Sequence, residues 1–178
     1  MKHNVIMACP PWKQYCIYRR SHTGLTDNIS RNAFRAARTF EFLDACLRDM
    51  TSEEHYLFIW AKGKFAEECR VYMKRLGYHY RGYLMWYRAR WKRGSSGKTL
   101  EYLMVYAKGD QQATEIELPD AINSPFTGLV SQKREKPEDV YKFIENLFPF
   151  SSKLQIFGFV NRSSWTSIHY NPKKILNL

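Results

Sequence analysis

The residues best suited to chemistry stand near the start of the chain. Asn4-Val5-Ile6-Met7-Ala8 is a continuous apolar run, the pattern of a strand buried on both faces, and it stops at Cys9-Pro10-Pro11-Trp12. Two prolines cannot continue a sheet ladder, so the chain must turn there. A rigid Pro-Pro turn fixes the direction of its carbonyls, and Trp12 adds a flat apolar face. Such groups suit an exocyclic amine held by carbonyls, with its ring stacked on the indole. The same residues also make a strand-ending turn with a packed tryptophan. Cys9 as a nucleophile is the weaker reading, since no adjacent histidine or helix start lowers a thiol pKa of about 8.5.

A second constellation is electrostatic. The 178 residues include 28 lysines and arginines against 17 acids, a net charge of +11, and 16% of them are aromatic. A large positive field attracts polyanions, and aromatic faces stack on bases. The cations gather in two segments. Lys13, Arg19, Arg20 and Arg31 follow the turn, and Arg88, Arg90, Lys92, Arg93 and Lys98 lie further on, with Trp91 among them. Both segments read as loops leaving the carboxyl ends of strands, placed to rim one pocket and contact phosphates. The bland alternative is two solvated loops. Cys9, Cys16, Cys46 and Cys69 lack zinc-site spacing and read as reduced thiols without a metal.

These groups need elements to position them. A 44% hydrophobic, 25% charged composition is that of a globular domain rather than a disordered tail. No apolar run approaches the roughly 18 residues of a membrane span, and residues 1–8 are too short and polar for a signal peptide. The expectation is a cytoplasmic or nuclear protein forming one domain over residues 1–178. Strands are predicted at 4–8, 56–60, 80–87, 101–107 and 154–160. Helices are predicted at 32–50, on a stripe of Phe34, Ala37, Phe42, Ala45 and Cys46, at 64–76, stopped by Gly77, and from Pro137 through Leu147. Residues 91–98, basic and rich in Gly and Ser, read as a loop. Strands alternating with helices argue a three-layer α/β domain with a mostly parallel sheet, which binds ligands at the carboxyl ends of its strands.

An apolar strand followed by x-Pro-Pro-Trp resembles the Asp-Pro-Pro-Trp motif of adenine amino-methyltransferases. Further segments resemble one family among them, in order along nearly the whole chain. They are Tyr56-Leu57-Phe58-Ile59-Trp60, Leu76-Gly77-Tyr78, Leu84-Met85-Trp86-Tyr87-Arg88 and Glu101 through Gly109. The most specific is Lys136-Pro137-Glu138-Asp139-Val140-Tyr141, running through Leu147-Phe148-Pro149 into Lys153-Leu154-Gln155-Ile156-Phe157-Gly158. The family is MT-A70, named for the seventy-kilodalton subunit of the mRNA adenine methyltransferase. The resemblance implies a Rossmann-like fold in permuted motif order, the cofactor S-adenosylmethionine, and methylation of the 6-amino group of adenine in RNA or DNA. It implies that Cys9, Pro10, Pro11 and Trp12 form the catalytic turn. Cys9 and Lys136 would then face the cofactor's methionine part, Phe157 and Gly158 its adenosine, and Asn171 its ribose.

Two departures stand out. Cys9 replaces the family's leading acid, and a neutral thiol is a poor acceptor for the adenine amine. After Gly158 the family has an arginine and then an asparagine, whereas this chain reads Phe159-Val160-Asn161-Arg162, so Asn161 or Arg162 would substitute. The leading expectation is an adenine amino-methyltransferase. The alternative is a catalytically impaired subunit of the same fold that binds nucleic acid or pairs with an active partner, as a homodimer or a heterodimer. A small-molecule binder of unrelated function ranks third.

Overall fold

The computed structural model describes residues 1–12, 31–92, 95–109, 136–158 and 161–169, with side chains described throughout these except at 31–36 and 87–99. Six strands form one sheet in the order β3-β4-β2-β1-β5-β6. They are β1 (His3–Ala8), β2 (Thr51–Lys62), β3 (His79–Lys92), β4 (Ser95–Lys108), β5 (Lys153–Ile156) and β6 (Trp165–Ile168). β1 runs parallel to β2 and β5, and β5 parallel to β6. β4 is antiparallel to both β2 and β3. Five strands therefore point one way and β4 alone is reversed, a mostly parallel sheet as expected.

Among the described residues, three helices cover the sheet. α1 (Arg31–Asp49) and α2 (Ala66–Arg75) lie on one face and α3 (Glu138–Leu147) on the other. Strand alternation divides β1 between these layers. Ile6 and Ala8 pack with Phe40, Leu43, Cys69, Tyr72 and Met73 under α1 and α2, while Val5 and Met7 pack with Val140, Tyr141 and Ile144 of α3. A strand covered on both sides has no polar face, which is why β1 reads as an unbroken apolar run. Full burial of a side chain such as Val140 or Ile144 contributes roughly 1.5–3 kcal/mol, enough to fix the orientation of α3.

Local chemistry sets the element ends. Glu67 and Glu68 open α2, Lys74 and Arg75 close it, and Gly77 follows with φ of 77°. Glu138 and Asp139 fill the first turn of α3 behind Pro137. Three sequence expectations are corrected. The buried stripe of α1 is Phe40, Leu43, Cys46 and Leu47, at 3–4 residue spacing, with Phe42 and Ala45 only half-buried. Residues 91–92 and 95–98 are strand rather than loop: β3 and β4 pair antiparallel through Arg88↔Thr99, Arg90↔Gly97 and Lys92↔Ser95. Cross-strand pairing there outweighs the poor strand propensity of Gly and Ser. β5 ends at Ile156 rather than Val160, because Phe157 turns to φ of 62°. Beside it lies β6, too short and too polar to signal itself.

Candidate active site at the carboxyl edge of the sheet

β1 is the centre of the sheet, with β2 on one side and β5 on the other, and the connecting helices α1 and α3 lie on opposite faces. The crevice beyond the carboxyl end of such a strand is where open α/β sheets bind ligands. Cys9 through Trp12 occupy that position.

The turn is anchored at both ends. The Cys9 N–H donates to the Ile156 carbonyl at 3.3 Å, and the Trp12 N–H donates to the Pro10 carbonyl at 3.0 Å. Cys9 is half-buried against the α3 side of the core. Trp12 goes the other way. Its ring is 3% exposed, 5.8 Å from Phe40 and 5.9 Å from Tyr72, and its Nε1–H donates to the Trp60 carbonyl at 2.5 Å. The free stacking face expected of Trp12 is therefore replaced by a packed indole that pins the turn to β2. An apolar ring gains more from the layer beneath α1 and α2 than from solvent.

Across the edge, Glu101 pairs with Lys62, the last residue of β2, and with Trp86 of β3 in the strand register. Its carboxylate is 3% exposed and bonds the ammonium of Lys136, itself 10% exposed. Lys136 also sits over the rings of Trp60 at 4.3 Å and Trp86 at 5.5 Å. This is a buried cation in an aromatic and acidic cradle, not a solvated charge ahead of a helix. The Trp60 Nε1–H is buried with no hydrogen-bond partner among the described residues, an orphan donor of the kind an added acceptor satisfies.

The third wall follows β5. Phe157 is buried, and its φ of 62° costs a non-glycine residue about 1–3 kcal/mol. Its N–H donates to the Ile168 carbonyl at 3.0 Å, and its ring meets Phe42 at 5.8 Å. A Cβ on Gly158 would collide with the Gln155 side chain. Gln155 cannot easily give way, because its Nε2 donates to the Tyr141 hydroxyl at 2.6 Å. Arg162 forms a two-point ion pair with Glu138 and lies 3.7 Å over the Tyr141 ring. Those hydrogen bonds hold the Glu138 carboxyl below the usual range, while burial pushes the Tyr141 phenol up to about 12. Asn161 is exposed and its Oδ1 meets His169 Nε2 at 2.9 Å, while His169 Nδ1 lies 2.5 Å from the Gly158 carbonyl.

Cys9, Lys136, Phe157, Gly158, Asn161 and Arg162 thus fall along one edge of the sheet or on the segments that leave it. Lys13, Arg19, Arg20, Arg93 and Asn171 lie outside the described residues. Arg88, Arg90, Trp91 and Lys92 are backbone positions of β3, and Lys98 of β4. Glu101, Tyr141, Gln155 and His169 join the site only through the tertiary structure. Gln155 did carry a signal, a lone amide inside an apolar strand.

No curated protein matches the sequence. Among solved structures, the crystal structure of the M1.HpyAVI–SAM complex superposes with a TM-score of 0.54 at 12% identity, covering 100% of this chain and 90% of that one. That likeness shows a shared fold. A family match then reaches from residue 3 to residue 171, past every element described above, and on that extent the chain belongs to the MT-A70 family.

Proposed function

We propose that this protein transfers a methyl group from S-adenosylmethionine to the 6-amino group of adenine in a nucleic acid. The observation that carries the reading is the buried Lys136 at the carboxyl edge, in a chain of this family. The residues present fit the cofactor. An ammonium has three donors, so Lys136 can hold a carboxylate while keeping Glu101, and the orphan Trp60 Nε1–H supplies a second donor nearby. In the same reading the strand end at Phe157 and Gly158 would lie beside the adenosine. When bound, the cofactor supplies an electrophilic methyl on a sulfonium.

The chain's own task is to hold the amine and exclude water. Trp12 fixes the turn and Pro10 closes it, so the backbone beside Cys9 is preorganised. Cys9 stands where an acid would orient the amine, and a thiol does this weakly. The hairpin of β3 and β4 runs past β2 pairing, which covers only Glu101–Lys108 of β4. Its basic sequence, with +11 overall, supports a phosphate-bearing substrate. No helix among the described residues is long and apolar enough to cross a membrane.

Calorimetry with S-adenosylmethionine followed by labelled-methyl transfer to adenine-containing RNA and DNA tests the proposal. Cofactor binding and transfer to one of them is the expected result. Absence of cofactor binding at millimolar concentration removes the enzymatic reading. Binding without transfer favours the second reading, an impaired partner or nucleic-acid-binding subunit, for which Cys9 is the motivating residue.

A further inference from the structure

The segment 161–169 is tied to α3 at both ends of the helix. Arg162 bonds Glu138 in the first turn. Two turns on, Glu145 Oε1 accepts from Ser164 Oγ at 2.9 Å and from Trp165 Nε1 at 2.7 Å. From Arg162 the contacts continue inward. Its guanidinium lies on the Tyr141 ring, the Tyr141 hydroxyl accepts from Gln155, and the Gln155 side chain fills the space a Cβ at Gly158 would need. From the other side, His169 bridges the Gly158 carbonyl and Asn161. The backbone held by these contacts is the one that departs from ordinary geometry, at Phe157.

We infer that Arg162 is a positioning residue whose pairing with Glu138 clamps the segment after β5 onto α3 and so sets the Phe157–Gly158 backbone for the cofactor. The inference rests on the cofactor reading above. Direct cofactor contact by Arg162 is the competing arrangement. Both terminal guanidinium nitrogens bond Glu138 and one flat face covers Tyr141, while the buried Nε–H has no partner among the described residues, so a direct contact would have to run through Nε. Glu138 distinguishes the two, because it belongs to the clamp and lies on α3.

The test compares wild type, Glu138→Gln, Arg162→Gln and the double variant, each as the full chain. S-adenosylmethionine affinity is read by calorimetry and backbone protection by amide hydrogen exchange. Each single variant should weaken cofactor binding about three- to tenfold, as loss of a partly exposed charge-assisted pair implies. The double variant should be no worse than either single one. Glu138→Asp should recover part of the loss. Exchange at Phe157, Gly158 and residues 161–169 should quicken in Glu138→Gln, with or without cofactor. Wild-type affinity in Glu138→Gln beside weakened binding in Arg162→Gln would establish direct contact and overturn the clamp. Unchanged exchange in Glu138→Gln would overturn it as well. A wild type that binds no S-adenosylmethionine would sink the functional reading, and the exchange comparison would still decide whether the clamp exists.

Discussion

At the scale of single residues, the site is governed by which charges are buried and what meets them. Lys136 and Glu101 neutralise one another in a setting where an uncompensated charge is costly. Lys136→Ala should lower S-adenosylmethionine affinity about tenfold or more, through loss of a charge-assisted hydrogen bond. It should also destabilise the fold by about 3 kcal/mol, because the buried Glu101 carboxylate loses its bond to the ammonium. Adding Glu101→Gln should restore part of that stability in urea denaturation. A double variant less stable than the single one would show that the pair is not the source of the cost. Cys9 is governed by acceptor strength. Cys9→Asp should raise methyl transfer, since a carboxylate accepts the amine hydrogen bond better than a thiol. A folded, cofactor-binding Cys9→Asp without activity, beside an active wild type, would refute this account of the position.

At the scale of elements, the turn after β1 and the β3–β4 hairpin have different duties. Trp12 is a structural pin between β1 and β2, so Trp12→Ala should cost about 3–5 kcal/mol of stability, the range for a buried large aromatic. Trp12→Phe should lose less, mainly the bond to the Trp60 carbonyl. Equal stability of Trp12→Ala and wild type would put the indole outside the core. The hairpin's contribution belongs to its sequence of cations. Replacing Lys92 and Arg93 by glutamate should weaken oligonucleotide binding alike for all sequences and flatten its salt dependence. An unchanged slope of affinity against salt would place the phosphate contacts elsewhere.

At the scale of the whole molecule, stability should depend on pH through buried imidazoles. His55 is buried, with Nδ1 2.6 Å from the Ser52 carbonyl and Nε2 2.7 Å from the Tyr78 hydroxyl. Burial lowers its pKa from 6.5, and Lys108 lowers it further. His3 is lowered in the same direction, again chiefly by burial. Both rings are neutral in the fold, while the unfolded chain takes up protons near pH 6.5. Their contribution is therefore present above pH 6.5 and is lost as pH falls through the lower, folded pKa. Glu138 adds a second loss below its unfolded value of 4.5, since Arg162 holds its folded pKa down. Urea unfolding between pH 7.5 and 5 should show the first loss, and His55→Gln should shrink it. Stability independent of pH across that interval would contradict the buried neutral imidazoles.

The sequence determined by itself whatever depends on local pattern. The unbroken apolar run of β1 needed cover on both faces, Pro10-Pro11 had to end it, and Pro137-Glu138-Asp139 had to start α3. From those, three layers and a site at the end of β1 follow. Where the stripe was ragged, as in α1, the buried face was misread, because Phe40 and Phe42 are equally apolar and only packing chooses between them. Long-range pairing was beyond local reading for the same reason. The Gly- and Ser-rich residues after Arg93 become a strand only because β3 lies beside them, and β6 exists only because β5 offers an edge. The tertiary structure alone decided that Trp12 packs inward, that Lys136 finds Glu101 35 residues earlier, and that Arg162 spends its charge on Glu138. Each of these groups has a partner distant in sequence, and Trp12 and Glu101 meet theirs in the buried interior while Arg162 and Glu138 pair nearer the surface. A buried group takes the partner the fold brings to it, because leaving it unpaired costs more than any local preference can repay.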